Sequence, residues 1–184
     1  MEFQETKFEG VYEMFPKVFG DERGYFFESF NQSLFEKYVP NTKFVQDNQS
    51  FSTAGVLRGL HFQKPPYAQG KLVRVLKGKV LDVIVDLRKD SKTYGEWDTF
   101  ELSLEKHNML YVAEGFAHGF VTLEDAIFAY KCTNIYNKES EGGIIWNDPN
   151  LKIDWGIEKP LVSEKDQALP TLSELEKEGT IFTF

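Results

Sequence analysis

The feature that most limits the possible folds of this chain is a succession of short strand-like segments along most of its length. Apolar residues either alternate with polar ones or form short runs, and turn residues separate the segments at fairly even spacing. Such spacing indicates a β-sandwich or barrel and argues against alternating β and α units. The predicted strands include residues 24–30, 43–52, 56–63, 72–76, 80–87, 109–112, 116–123 and 127–136.

Two of these segments predict more than a strand. Residues 72–76 and 80–87 are separated by Lys77-Gly78-Lys79, which predicts a hairpin with Gly78 at its turn. Residues 80–87 are apolar at nearly every position, which predicts a strand buried on both faces. Helical patterns are scarce: residues 31–38 fit two turns, and Thr171-Leu172-Ser173-Glu174 is typical of a capping box that opens a short helix.

Length, composition and charge narrow the class of protein. The 184 residues have the length of a single domain, which we expect to span residues 1–184 with a helical tail from about residue 171. Aromatic residues make up 15% of the chain, enough for a packed core, so intrinsic disorder is excluded. The formal net charge of −8 and the lack of a cationic cluster in the sequence argue against nucleic acid as a partner.

Cysteine content and hydropathy predict the compartment. Cys132 is the only cysteine of the sequence, so no internal disulfide and no multi-thiolate zinc site can form, as is typical of a reducing environment. No apolar run of the sequence reaches the ~20 residues that a membrane-spanning helix needs, and the acidic N-terminus lacks the order of a signal peptide. These features predict a cytoplasmic protein with no membrane partner.

The three histidines are the first candidates for chemistry. His61 shares a predicted strand with Arg58 and two glycines and is the strongest of them. His118 lies among small and aromatic residues, which fits a hydrogen-bonded core histidine as well as a functional one. His107 lies in a polar stretch between two strands and is interpreted as a solvated turn residue. The sequence has no G-x-G-x-x-G pattern, so we expect no glycine-rich nucleotide loop.

Alternation in two strands indicates a polar pocket. A period of two places Tyr130 and Cys132 on the same face of the strand over residues 127–136. The same count groups Gln46 and Asn48 on one face of an earlier strand. Because amides are costly to bury without partners, that face belongs either to a ligand cavity, which we favour, or to a strand that faces solvent.

Eight sequence blocks together resemble a known enzyme family. In order and spacing they are similar to the dTDP-4-dehydrorhamnose 3,5-epimerase family over about residues 8 to 170. The blocks are DERG at 21–24, FVQDNQS at 44–50, GVLRGLHFQ at 55–63, QGKLVRV at 69–75, DVIVDLR at 82–88, GFAHGF at 115–120, WNDP at 146–149 and LVSEKD at 161–166.

The resemblance implies a fold and a reaction. The implied fold is an all-β, cupin-type jelly-roll barrel with short peripheral helices, and the implied assembly is a homodimer. The substrate would be a 4-keto-6-deoxy sugar linked to dTDP, inverted without a metal or another cofactor at C3 and C5, the carbons that flank the ketone. The residues around His61 agree with metal-free catalysis, because no carboxylate stands at ligand spacing beside it.

The resemblance also implies roles for individual side chains. His61 corresponds to the base that removes the proton, and Asp166 to the carboxylate that orients it. Tyr130 corresponds to the acid on the opposite face of the sugar, and Lys71 to the cation beside the ketone oxygen. The substrate-binding positions correspond to Arg23 and Arg58 near the pyrophosphate, to Phe19, Glu28, Gln46, Asn48 and Tyr136 around the nucleotide, and to His118 and Lys165.

The spacing of Arg58 and His61 limits how their strand can present both side chains to one ligand. They are three residues apart on one predicted strand, so strict alternation sends their side chains to opposite faces. For both to reach one ligand, we expect the strand to bulge or bend near Gly59, which glycine readily permits.

Other functions are compatible with these motifs. An epimerase of a related nucleotide-linked keto sugar would invert only C3 or only C5, and the motifs do not separate it from a 3,5-epimerase. A non-catalytic sugar-nucleotide-binding cupin would gain little from an acid and a base together. A metal-dependent cupin isomerase would contain stoichiometric metal.

Overall fold

The chain is built mainly from short strands. The computed structural model describes residues 1–179. Its strands, numbered along the chain, are β1 (Glu2–Glu5), β2 (Val11–Phe15), β3 (Phe19–Asp21), β4 (Gly24–Phe26), β5 (Gln46–Ser52), β6 (Val56–Gln63), β7 (Lys71–Lys77), β8 (Lys79–Asp86), β9 (Trp97–Ser103), β10 (Met109–Val112), β11 (Phe116–Thr122), β12 (Ala126–Cys132), β13 (Glu141–Gly143) and β14 (Leu161–Val162). Its helices are α1 (Gln32–Phe35), α2 (Glu164–Gln167) and α3 (Leu172–Lys177), with a 3₁₀ turn at Lys138–Ser140.

Most strands belong to two large sheets. The first sheet has the order β1-β2-β10-β7-β12-β5, and the second has the order β13-β6-β11-β8-β9. Neighbouring strands run antiparallel, whereas the added strand β14 lies parallel to β6. Strands β3 and β4 form a separate hairpin. The predicted all-β architecture is confirmed.

The inner faces of the two large sheets pack against each other and form the main core. Val73 of β7 and Phe128 of β12 come from the first sheet, and Ile84 of β8 and Phe120 of β11 come from the second. Each of these side chains is at most 5% exposed. Burial of a side chain of this size contributes about 1.5–3 kcal/mol. The core therefore holds the sheets together and sets the spacing between them.

The outer faces of both sheets are covered as well. Over the second sheet, Trp155 and Leu172 from the C-terminal third of the chain belong to one buried cluster with Val83 and Val85 of β8. Over the first sheet, the segment around α1 takes the equivalent place. Alternate residues of β8 belong to the inner and the outer cluster. The prediction that this strand is buried on both faces is confirmed.

The predicted hairpin at Gly78 is wrong. Strand β7 pairs with β10 and β12 in the first sheet, whereas β8 pairs with β9 and β11 in the second. Gly78, at a φ of +73°, instead turns the chain from one sheet to the other, and a Cβ atom there would clash with the carbonyl oxygen of Asp125. Apolar patterning does not distinguish the two arrangements, because both strands are buried in either one.

Strand β6 bulges at Gly59. His61 lies opposite His118 of β11, and Arg58 lies opposite Phe120, so two residues of β6 face one residue of β11. Gly59 has a φ of +117°, and a Cβ atom there would lie 2.6 Å from the Cα atom of Gly119. The expected irregularity is confirmed, and it lets Arg58 and His61 line the same cavity.

Several elements end earlier than the sequence predicts. The strand predicted over residues 24–30 is reduced to the exposed β4, and the strand predicted over residues 127–136 ends with β12. Helix α1 covers only part of residues 31–38 and is capped by Asn31. The predicted capping box is confirmed at Thr171 and Glu174. No helix within residues 1–179 is long enough to cross a lipid bilayer.

Candidate active site

A cavity opens between the two sheets, where β5, β7 and β12 face β6 and β11. It has a volume of about 620 Å³, and its wall contains His61, Lys71, Tyr130 and Asp166. A smaller space of about 280 Å³ shares His61, Lys71 and Tyr130 and extends towards Tyr136. The fold therefore brings together the four residues to which the resemblance assigns catalysis.

His61 is hydrogen-bonded to a buried carboxylate. Its Nε2 lies 2.8 Å from Oδ1 of Asp166, and the backbone N–H of Gly59 donates to Oδ2 at 3.2 Å. The side chain of Asp166 is 6% exposed and that of His61 is 32% exposed. Burial alone would raise the pKa of Asp166, but the hydrogen bond and charge of His61, with smaller effects of the Gly59 N–H and Lys165, hold that pKa below its ordinary value. The carboxylate therefore stays ionised and stabilises an imidazolium once His61 takes up a proton.

Local structure explains the position of Asp166. Ser163 caps helix α2, because its Oγ accepts a hydrogen bond from the backbone N–H of Asp166 at 3.1 Å. The preceding strand, β14, pairs with β6 at Val56 and Leu57. The segment 163–166 is thereby fixed beside the strand that carries His61.

Lys71 begins strand β7 and lies in the wall of the cavity. Burial lowers the pKa of Lys71, and the charges of Cys132, Asp82 and Glu141 oppose this shift. Within residues 1–179, its ammonium group has no hydrogen bond or ion pair. A cation without a fixed partner is available to negative charge that develops on a ligand.

Tyr130 reaches the cavity from the first sheet, opposite the strand that carries His61. It lies on β12 between Asn48 of β5 and Val73 of β7. Burial raises the pKa of Tyr130, an effect that Cys132 increases and Arg58 opposes, so the phenol keeps its proton at neutral pH. Because β12 and β6 belong to different sheets, Tyr130 and His61 line facing walls of the cavity.

His118 forms a second histidine–aspartate pair. Its Nε2 lies 3.0 and 2.9 Å from the two carboxylate oxygens of Asp82, a fully buried residue of β8. Burial raises the pKa of Asp82, although His118 and Lys71 oppose this shift. The sequence left open whether His118 belongs to the core or to a site. In the structure it is both buried and part of the cavity wall.

The polar strip of strand β5 lines the cavity. Gln46 donates to Oδ1 of Asn48 at 3.0 Å and accepts a hydrogen bond from the backbone N–H of Tyr136 at 2.9 Å. Asn48 and Ser50 are half-buried and belong to the walls of the two spaces. The strip therefore lines a cavity, and its contact with a ligand stays a prediction.

Tyr136 and Lys165 meet at a residue that sequence reasoning missed. Glu141 accepts hydrogen bonds from the Tyr136 hydroxyl at 3.1 Å and from the Lys165 ammonium at 2.6 Å. Burial would raise the pKa of Glu141, but these bonds and the charges of Lys165 and His61 lower it. No motif marks Glu141, because it joins the site only through the pairing of β13 with β6.

Three predicted substrate-binding residues do not line this cavity. Phe19 and Arg23 belong to the exposed β3–β4 hairpin, and Glu28 follows that hairpin in an exposed position. Arg23 is paired with Asp21, at 2.5 Å between Nη2 and Oδ2. Arg58, by contrast, lies in the cavity wall, where its Nε donates to Oγ of Ser52 at 2.9 Å.

The fold and the cavity define the class of protein. Two facing sheets enclose a cavity with a histidine–aspartate pair on one wall and a protonated phenol on the other, which is the arrangement of a cupin-type jelly roll equipped for acid–base chemistry. Within residues 1–179, no group of three histidine, cysteine or acidic side chains is spaced to hold a metal ion. Residues 5–174 match the sequence profile of dTDP-4-dehydrorhamnose 3,5-epimerase, and the chain belongs to this family.

Individual relatives agree with this assignment. The dTDP-4-dehydrorhamnose 3,5-epimerase of Shigella flexneri is 57% identical over 153 residues, which cover 82% of this chain and 84% of that protein. The crystal structure of the enzyme of the same name from Elizabethkingia anophelis NUHP1 is 50% identical, with a TM-score of 0.91 over 95% of this chain and 97% of that one. The 3,5-epimerase from Legionella pneumophila Philadelphia 1, solved with dTDP-4-keto-L-rhamnose, is 43% identical, with a TM-score of 0.93 over 100% of this chain and 98% of that one.

Proposed function

We propose that the protein is a dTDP-4-dehydrorhamnose 3,5-epimerase, which converts dTDP-4-dehydro-6-deoxy-D-glucose into dTDP-4-dehydro-L-rhamnose. The observation that carries this proposal is that His61 and Tyr130 line facing walls of one cavity. Inversion of a carbon next to a ketone needs a base on one side of the sugar and a proton donor on the other. Family membership supports the identity of the sugar nucleotide.

In the first step, His61 removes the proton from a carbon next to the C4 ketone. Because Nε2 is bonded to Asp166, the other ring nitrogen accepts this proton. The electron pair of the broken C–H bond shifts into the C–C bond while the ketone oxygen becomes an enolate oxygen. Lys71 stabilises the negative charge on that oxygen, and Asp166 stabilises the imidazolium.

In the second step, Tyr130 delivers its proton to the opposite face of the same carbon. The new C–H bond forms as the enolate returns to a ketone, so the configuration is inverted. Tyr130 is then a phenolate and His61 an imidazolium, and exchange with solvent restores both. C3 and C5 flank the same ketone, so the same residues serve both carbons.

The nucleotide portion of the substrate lies towards the outer part of the cavity in this proposal. The guanidinium of Arg58 suits the bidentate recognition of a pyrophosphate. Gln46 and Asn48 offer amide groups to the nucleotide, and the half-exposed ring of Tyr136 offers a stacking surface. His118 and Lys165 complete the proposed contacts from the wall opposite Gln46 and Asn48.

A homodimer is part of the proposal. Phe19, Arg23 and Glu28 do not line the cavity of their own chain, and in this proposal they contact a nucleotide bound to a second chain. The β3–β4 hairpin also exposes large aromatic side chains, including Phe26 at 70%. Exposed apolar groups of this kind mark interaction surfaces. We infer that the hairpin of one subunit contributes to the cavity of the other.

Solvent deuterium tests the proposed reaction directly. The protein is incubated in heavy water with dTDP-4-dehydro-6-deoxy-D-glucose, and deuterium at C3 and C5 is followed by NMR. We expect label at both carbons together with conversion to the L-rhamno configuration. The control is His61→Ala, for which label at both positions should fall by about 10²–10⁴-fold, the usual contribution of a general base.

The other outcomes identify the alternatives. Label at only one carbon would replace the proposal with a C3-only or C5-only epimerase. Binding of dTDP without any label would indicate a non-catalytic binding protein. Loss of activity after removal of metal by a chelator, with recovery when the metal returns, would indicate a metal-dependent isomerase.

A further inference from the structure

Gln63 lies on β6, two residues after His61, and all polar atoms of its side chain are engaged. Its Nε2 donates to the carbonyl oxygens of Tyr67 at 2.7 Å and Ile135 at 3.1 Å, and its Oε1 accepts from the backbone N–H of Asn137 at 2.7 Å. The residue is 6% exposed. An amide supplies two donors and an acceptor on opposite atoms, so only one orientation satisfies all three partners.

These hydrogen bonds hold the two neighbours of Tyr136. Strand β12 ends at Cys132 and the 3₁₀ turn begins at Lys138, so Tyr136 lies in an irregular segment with no ladder of backbone hydrogen bonds. Gln46 accepts from its backbone N–H and Glu141 from its hydroxyl. Gln63 adds a fixed point on each side of it, at residues 135 and 137.

We propose that Gln63 is a positioning residue that fixes Tyr136 over the outer part of the cavity. Because β6 carries both His61 and Gln63, the amide ties the segment that presents Tyr136 to the strand that presents the base. The inference rests on the proposed function, in which Tyr136 stacks on the nucleotide. Gln63 acts through Tyr136 and therefore affects substrate binding, whereas proton transfer at His61 and Tyr130 is left unchanged.

The first test is the change Gln63→Met, which keeps the length of the side chain and removes its hydrogen bonds. We expect KM for the dTDP-linked keto sugar to rise by about two- to tenfold, the range of one aromatic stacking contact, with kcat within about twofold of wild type. Gln63→Glu should raise KM at least as much, since a carboxylate would face two carbonyl oxygens. Gln4→Met is the control for the substitution itself, because the Gln4 amide is exposed and bonds only to Glu2.

A double-mutant cycle separates positioning from a general structural effect. In a Tyr136→Ala background, Gln63→Met should change KM by less than a factor of two, because the group that it positions is gone. An equal rise in KM with and without Tyr136 would overturn the proposal. A fall in kcat with KM unchanged would also overturn it.

A second readout does not depend on turnover. Hydrogen exchange of the backbone amides at residues 135–137 should be faster in the folded Gln63→Met protein than in wild type, and equal exchange would contradict the proposal. If the wild-type protein binds dTDP but does not epimerise, the proposed function fails. The role of Gln63 is then still tested by calorimetry with dTDP in wild type, Gln63→Met, Tyr136→Ala and the double variant. Lack of dTDP binding by the wild-type protein would overturn both proposals.

Discussion

Tyr130 has a single oxygen atom whose removal distinguishes proton exchange from inversion. The change Tyr130→Phe keeps nearly all the apolar area of the ring, so we expect little loss of stability. His61 should still remove the proton, and the imidazolium should return it to the same face. In heavy water, Tyr130→Phe should therefore incorporate deuterium faster than it inverts, relative to wild type, as measured by NMR.

The outcome that contradicts this assignment is specific. If exchange and inversion fall by the same factor in Tyr130→Phe, the phenol does not act as the acid on the opposite face. Tyr130 would then act before the enolate forms or only shape the cavity.

The lowered pKa of Asp166 predicts how its contribution to stability depends on pH. The folded protein binds a proton at this carboxyl less readily than the unfolded chain, so stability from the ionised form is fully present above the unfolded pKa of ~3.9 and is lost as the pH falls through the lower folded value. The difference in free energy of unfolding between wild type and Asp166→Asn should therefore shrink below about pH 4. Urea unfolding at several pH values measures it, and a difference that grows on acidification would contradict the pair with His61.

Sequence reasoning identified some site residues from local patterns, others only from the family resemblance, and missed two. Alternation alone grouped Gln46 with Asn48 and singled out Tyr130, because these residues share strand faces. Asp166 lies 105 residues from His61 in the chain, so no local pattern joins them, and only the resemblance linked the two. Sequence reasoning missed Glu141 because its place in the site depends on the pairing of β13 with β6. It missed Gln63 because the partners of its amide lie in an irregular segment, which has no periodic pattern.

At the scale of elements, the bulge in β6 is the feature that lets one strand present both Arg58 and His61. The change Gly59→Ala forces an alanine into a φ of +117° and brings its Cβ to 2.6 Å from the backbone of Gly119. We expect a loss of at least about 2 kcal/mol in free energy of unfolding, together with loss of activity. Urea unfolding and the epimerase assay measure both.

Gly156 is the matched control for this change. It also has a positive φ, of +66°, but a Cβ atom there would meet nothing within 4 Å. Gly156→Ala should cost about 1–2 kcal/mol from backbone strain alone and keep its activity. Equal losses of activity in the two variants would argue against a special role for the bulge.

The strands were easier to predict than their partners. Strands were predicted over residues 43–52, 56–63, 116–123 and 127–136, where β5, β6, β11 and β12 lie, and period-two alternation grouped the side chains of β5 and β12 that line the cavity. The apolar runs around Gly78 did not predict the pairing, since burial of β7 and β8 is equally satisfied by pairing with each other or with strands of two different sheets. Pairing depends on contacts between distant segments, which local patterning does not encode.

For the whole molecule, the position of the β3–β4 hairpin predicts complementation between two defective variants. Mixed dimers of His61→Ala and Arg23→Ala chains contain one cavity with both defects and one with neither, if the hairpin serves the partner. Random exchange of subunits should then restore about a quarter of the wild-type rate, because half of the dimers are mixed and half of their cavities are intact. The epimerase rate of the two variants after they are refolded together measures this complementation, and sedimentation measures whether the protein is a dimer.

The result without complementation is equally informative. If the hairpin serves its own chain, every cavity of a mixed dimer carries one defect, and no activity above the sum of the two variants appears. A monomer in sedimentation would reject the dimer and this role of the hairpin together.

The stacked rings of Phe120 and Phe128 have a consequence for stereochemistry. Their centroids are 4.2 Å apart, one ring comes from each sheet, and Phe128 also contacts Tyr130. This stacked pair spans the two sheets beside the cavity. In the proposed mechanism, the distance between the base His61 and the acid Tyr130 therefore depends on the thickness of the sandwich. A flat enolate must fit that gap with one face towards each sheet. In the proposed mechanism, the sheet that carries Tyr130 determines which face of the sugar receives its proton.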